Sequence, residues 1–142
     1  MAIGRMDDEL EALAEEFSLL DDWEDRYRHI IELGRELEPL SGEEHTDANK
    51  VRGCASQVWL VTEPGPEGAV HYRGDSDAHI VRGLIAILLR LYSSRPPREI
   101  LAFDAKAAFE QLGLAGALSA QRSNGLASMV ARIRRAAEQV AA

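Results

Sequence analysis

Apolar residues recur at helical spacing near both ends of the chain and alternate with polar ones in its middle. Leu10, Leu13, Ala14 and Phe17 follow the i, i+3, i+4, i+7 pattern, which predicts an amphipathic helix over Asp7 to Phe17. Asp7, Asp8 and Glu9 fall in its first turn, where carboxylates favour the positive end of the helix dipole. A second helix is predicted from a cap at Asp21 or Asp22, with Trp23, Tyr27, Ile30, Ile31, Gly34 and Leu37 on one face and Pro39 as its stop. "LSGEEHTDANK" is polar and reads as a loop. "SQVWLVTE" and "AVHYRG" alternate as strands do, and "PGPEG" between them makes a hairpin with one wet face. Val51 and its neighbours add a short third strand to this expectation. From Asp75 the pattern turns helical, with Asp75 or Ser76 as N-cap and Asp77 in the first turn. Apolar residues there surround most of the helix, which predicts a central, buried element. Pro96 and Pro97 stop it, and Pro97 opens a short helix through Leu101. Asp104 caps a helix to Leu112, with Gly113 as its C-terminal signal. The last helix starts at Ser119 and carries a stripe of Leu126, Met129, Val130, Ile133, Ala137 and Val140. Helices, then a hairpin, then helices give an α+β fold: a small antiparallel sheet, hairpin plus short third strand, packed against several helices.

The length of 142 residues suits one domain spanning 1–142, without repeats or linkers. A formal net charge of −8 argues against nucleic acid or an anionic membrane as the main partner, since both recruit clustered positive charge. The longest apolar run, Gly83 to Tyr92, is broken by Arg90 and is short of the about 20 residues a bilayer span takes. "MAIGRMDDELEAL" carries no apolar leader region. The chain holds one cysteine, Cys54, which rules out an internal disulfide and any multi-cysteine zinc or iron–sulfur site held by this chain alone. A reducing, cytoplasmic setting is the expectation.

Cys54 sits in "VRGCASQVWL", after a glycine and before an alternating run. It reads as a buried filler, a metal ligand or a nucleophile. Free cysteine is often a small hydrophobe. Gly53, however, points to an unusual backbone angle or a close approach. Lys50 and Arg52 are near enough in sequence to favour a thiolate if the segment is extended. A second constellation is "LSAQRSNGL". Either Ser123 is a second N-cap and Gly125 relieves packing, or Gly125 admits another backbone and Arg122 offers a partner to an anion or thiolate. In "GDSDAHIVRGL", an acidic helix cap stands against a loop that shapes a neighbouring pocket. His29, His45, His71 and His79 are scattered and form no metal-binding pair motif, and no phosphate-binding glycine loop is present.

Four blocks taken together, "WEDRYRHIIELGREL", "VRGCASQVWLV", "RGDSDAHIVRGLIAILL" and "LSAQRSNGLASMV", resemble in order the SufE family of sulfur-acceptor proteins. The likeness runs from about Asp7 to about Val140. Asn124 stands where glutamine is frequent in that family. The resemblance implies a SufE/IscU-like fold and a sulfur carrier without a cofactor of its own. The partner implied is a SufS-type cysteine desulfurase, a pyridoxal-phosphate enzyme that takes sulfur from L-cysteine as a persulfide. Cys54 is then the acceptor, the desulfurase is stimulated, and the sulfur passes to a SufBCD-type scaffold. It further implies that the cysteine shelters in an apolar pocket and extends on docking, with Gly53 as hinge and with Trp59 and the hairpin as anchors. Arg122 and Asp75, and with them Asp77, are assigned to docking or loop support. A monomer or weak homodimer is implied. Two alternatives stand beside this: a CsdE-like acceptor feeding a tRNA-modification relay, and an allosteric activator that carries no sulfur. A Cys–His hydrolase is a distant third.

Overall fold

The computed structural model describes residues 6–114, 116 and 118–141. Helix α1 (Met6–Ser18) buries Met6, Leu10, Leu13 and Phe17, the residues that its helical spacing places on one side. Helix α2 (Trp23–Arg35) starts at Asp22, whose side chain accepts from the Asp25 N–H at 2.9 Å and so satisfies one of the free donors of the first turn. Its buried face is narrower than the sequence pattern implied: Ile30 and Gly34 are buried, whereas Trp23 is 39% exposed. Trp23 stands at the helix start and stacks under the Arg26 guanidinium at 5.2 Å, so its ring covers a surface residue and not the core. The helix ends at Arg35, before Pro39 is reached, as the Glu36 and Leu37 N–H groups close back on Leu33 and Gly34.

Strands β1 (Val58–Pro64) and β2 (Val70–Ser76) form the antiparallel hairpin, in register from Val58 opposite Ser76 to Pro64 opposite Val70. Val70, Tyr72, Gly74 and Ser76 alternate inward. The expected third strand is reduced to a single bridge. Lys50 pairs with Trp59, and the Val51 N–H donates to the Val58 carbonyl at 2.8 Å before the chain turns at Arg52 and Gly53. The glycine that bends this segment is what stops the strand from lengthening. Among the described residues the sheet is therefore two-stranded.

Helix α3 (His79–Tyr92) is the central element, and Ile85, Ile87, Leu91 and Tyr92 are wholly buried. Each such side chain contributes roughly 1.5–3 kcal/mol relative to exposure. The expected caps are corrected here. Asp75 and Ser76 belong to β2, and Ala78 holds the cap position without a side-chain bond. The β-ladder keeps both residues extended, so their side chains serve other partners. Helix α3 packs on α2 through two glycines. A β-carbon on Gly83 would lie 2.1 Å from the Ile30 carbonyl oxygen, and one on Gly34 would lie 2.7 Å from the Gly83 nitrogen.

Short helices α4 (Pro97–Ala102) and α5 (Ala105–Gln111) follow, α5 capped by Asp104, which accepts from the Ala107 N–H. Helix α6 (Ala120–Ala141) closes the core with Leu126, Met129, Ile133 and Ala137. Val130 is partly buried against that core, and Val140 is 50% exposed. The Tyr72 hydroxyl donates to the Ile133 carbonyl at 2.8 Å in the interior and so ties sheet to α6; burial holds this phenol well above its usual pKa. Residues 52–57 thus run between a fixed hairpin and the flank of α6.

Candidate functional site

Gly53 has φ +92, a conformation that side chains disfavour, and a β-carbon there would lie 2.5 Å from the Ser128 Oγ. This turn delivers Cys54 against α6. Its thiol donates to the Gly125 carbonyl at 3.6 Å, a long and weak sulfur contact. A β-carbon on Gly125 would rest 3.5 Å from the sulfur, ordinary contact distance, so alanine fits there.

The sulfur borders a cavity of about 330 Å³. Ile80, Val81 and Leu84 of α3 and Met129 of α6 supply an apolar floor, and Ser119, Gln121 and Arg122 stand at its rim. Arg122, Gly125 and Met129 share one helical face by their spacing of three and four, which explains why one helix start supplies both rim and floor. The space is several times the ~30 Å³ a water claims in the liquid. Its volume exceeds what one further atom the size of sulfur takes up. Half-burial is the cause that raises the Cys54 thiol above its ordinary pKa, because a thiolate would be poorly solvated there. In this position the sulfur is protonated at neutral pH and is a weak nucleophile.

The loop is held at its far end by Asp77. Its carboxylate accepts from the Gln57 N–H at 3.0 Å, and its own N–H donates to the Gln57 carbonyl at 3.3 Å, continuing the hairpin one step past Val58 and Ser76. Asp75 lies opposite Trp59 in register but does not line the cavity. Its carboxylate accepts from the His45 Nε2 at 2.8 Å and from the Ser76 N–H at 2.8 Å, and sits 3.2 Å from the Arg82 Nε. Hydrogen bonding to Asp75 is the leading cause that raises the His45 pKa. The His45 ring meets Trp59 edge-on at 4.7 Å. Asp75, His45 and Trp59 thus fasten the 41–50 segment to the hairpin, and Lys50 completes the same anchor through its bridge to Trp59.

Of the five residues singled out from the sequence, Cys54 and Arg122 line one cavity, Gly53 shapes the turn into it, and Asp77 ties the loop. Asp75 acts one layer back. Sequence reasoning missed His45 and Ser128. His45 is thirty positions from Asp75, and no local pattern announces the pair. Ser128 lies one helical turn beyond Gly125 and was legible as the next position on that face. Among the described residues no three His, Cys, Asp or Glu side chains are grouped to hold a metal, and no helix is long and apolar enough to cross a membrane. A larger groove of about 940 Å³ between α4, α5 and α6 includes none of the five residues.

Residues 11–137 match the family described as SufE: Fe-S metabolism associated domain. The chain is 56% identical over 136 residues to a SufE-like protein of Rhizobium etli, covering 94% of this chain and 92% of that protein. It is 48% identical over 132 residues to a SufE-like protein of Rhizobium meliloti, covering 91% and 94%. The solution structure of a hypothetical protein from Thermus thermophilus superposes with a TM-score of 0.75 over 93% of this chain and 95% of that one. At 17% identity that likeness speaks for the fold.

Proposed function

Since the chain belongs to the SufE family, with a role associated with sulfur and iron–sulfur metabolism, we propose that it accepts sulfur on Cys54 from a SufS-type cysteine desulfurase and hands it to a SufBCD-type assembly scaffold. The observation that carries this reading is a lone cysteine on a loop entered through a left-handed glycine, its thiol beside a cavity floored by Ile80, Val81, Leu84 and Met129.

The step is sulfur–sulfur exchange. The Cys54 thiolate attacks the outer sulfur of the donor's persulfide. A new bond forms between the two sulfurs, the donor's S–S bond breaks, and the donor cysteine leaves with the electron pair as a thiolate. The proton lost by Cys54 is balanced by reprotonation of the leaving thiolate, and no external oxidant or reductant enters. The buried position is the resting state, because the protonated thiol there resists stray electrophiles. To react, the loop must turn outward about Gly53. Once loaded, a persulfide returned to the cavity is screened from thiols and oxidants. With no second cysteine in the chain, nothing nearby attacks the persulfide to form a disulfide and release sulfide. On this reading Arg122, which lines the same cavity, meets the anionic sulfur as it leaves.

Intact-protein mass spectrometry after incubation with a SufS-type desulfurase and L-cysteine tests the reading. A reducible gain of one sulfur atom on the native chain, absent from Cys54→Ser, is the expected result. A Cys54→Ser protein that still gains sulfur, or a native protein that gains none, overturns it. Desulfurase acceleration that survives the substitution assigns the chain to activation without carriage.

A further inference from the structure

The chain is acidic overall, yet one surface beside the cysteine loop is basic. Lys50 and Arg52 from the segment entering the loop, and Arg132 and Arg135 from α6, line a shallow cavity of about 380 Å³ with a single carboxylate, Asp47. None of the four has a carboxylate within ion-pair distance among the described residues; Arg26, Arg35, Arg98, Lys106 and Arg134 share that property, but only these four are gathered around this cavity. The Arg132 guanidinium donates to the Lys50 and Ala48 carbonyls at 3.2 and 2.6 Å, which stiffens the edge of the patch. Arg52 and Arg135 are exposed. The patch ends two residues before Cys54.

We infer that this basic surface is where an acidic face of the sulfur donor docks, an inference that rests on the reading above. On a chain of net −8, four cations around one cavity are a local reversal of sign that attracts an acidic partner, so the patch sets orientation as well as attraction. Its position puts the docked partner over the Gly53 hinge. The donor's terminal persulfide sulfur is anionic, and positive potential draws it toward the segment that carries Cys54. Arg122 stands on a different cavity and is not a member of this surface.

The test is the rate of Cys54 persulfidation against acceptor concentration at several ionic strengths, for the native protein, Arg135→Glu and Arg52→Glu. Arg135 lies on the exposed side of α6, away from the sulfur, so its reversal separates docking from chemistry. The native kcat/KM falls with added salt. Arg135→Glu lowers kcat/KM roughly 3–10-fold at low salt, flattens the salt dependence and leaves kcat at saturating acceptor unchanged. Arg52→Glu shows the same loss of salt dependence. Native sulfur uptake that ignores salt, together with variants that match the native kcat/KM, overturns the docking surface while the carrier reading stands. A loss confined to transfer from preloaded Cys54 to the scaffold also overturns it, by moving the patch to the other partner. A native protein that takes up no sulfur overturns both.

Discussion

Replacing Gly53 by alanine tests whether the cysteine loop is a local hinge. The residue holds φ +92, and an added methyl meets the Ser128 Oγ at 2.5 Å. The left-handed backbone costs an L-residue roughly 1–2 kcal/mol. The steric part is smaller, because the Ser128 hydroxyl is the end of a short side chain and can rotate away. Strain of this size resides in the closed loop and vanishes when the loop opens. If opening is local, the open fraction rises about 5–30-fold. Alkylation of Cys54 by iodoacetamide, measured under native conditions where opening is faster than capture, speeds up by the same factor. The melting temperature then changes little, because the strain is released without unfolding the core. A Gly53→Ala/Ser128→Ala protein removes the overlap and leaves the φ penalty, so it stays accelerated. If instead Gly53→Ala melts earlier, by about 2–4 °C per kcal/mol for a chain near this size, and alkylates no faster, loop and core open as one unit and the hinge is refuted. Native values for both quantities would refute the left-handed conformation itself.

Two further outcomes follow from the same geometry. Burial raises the Cys54 pKa in the folded protein, so the alkylation rate of the native protein keeps climbing with pH beyond the point where the urea-unfolded chain has levelled off. The folded state holds this proton more tightly, so stability is intact below the unfolded thiol pKa and declines as pH rises from there through the folded value. Cys54→Ser removes the part of the decline that sets in at the unfolded thiol pKa and leaves the later part due to the buried Tyr72 and Tyr92 phenols, and coincident folded and unfolded alkylation profiles would remove the basis for a sheltered thiol. At the α2–α3 contact, Gly83→Ala places a methyl 2.1 Å from the Ile30 carbonyl oxygen, which is backbone and cannot rotate away. Overpacking of this kind costs about 1–3 kcal/mol or more, read from the urea midpoint at unchanged m-value, and a native midpoint would mean the helices do not meet there.

The elements were legible where one side chain fixes a local donor. Asp22 and Asp104 each accept a bond from the backbone three residues on, and both helix starts fall where the sequence placed them. The start of α3 was misread because Asp75 and Ser76 are good caps in isolation, but the ladder to Val58 and Trp59 keeps them extended for two residues longer. Strand pairing is non-local, and a cap motif carries no knowledge of it. The same limit hid the third strand's shrinkage to one bridge and the His45–Asp75 contact. The site was more legible than its supports. Gly53 beside Cys54, and Arg122 at the start of the last helix, are local features of the sequence, and the structure gathers them at one cavity, whereas the anchoring of the loop depends on residues drawn from three segments.

The resting geometry contains an opposition that explains why such a site needs both partners and charge. On the proposed reading, the cavity that shelters sulfur also keeps the thiol protonated, so whatever shields the product suppresses the reaction. Shifting the thiol's pKa within the cavity would not resolve this, since a cation stable against Ile80, Val81 and Leu84 would itself have to be desolvated. Separating the two states in space does resolve it. Inside, the sulfur faces an apolar floor and one carbonyl. Turned outward, as the proposed reading requires, it would lie between Arg122 of the one cavity and the segment bearing Lys50 and Arg52 of the other. On the proposed reading the switch between them is the left-handed turn at Gly53, and docking supplies the free energy to throw it. A carrier built this way is inert until its partner is seated, and that is a property the Gly53→Ala protein is expected to lose in part: its thiol reacts sooner with small electrophiles while the native protein waits for the desulfurase.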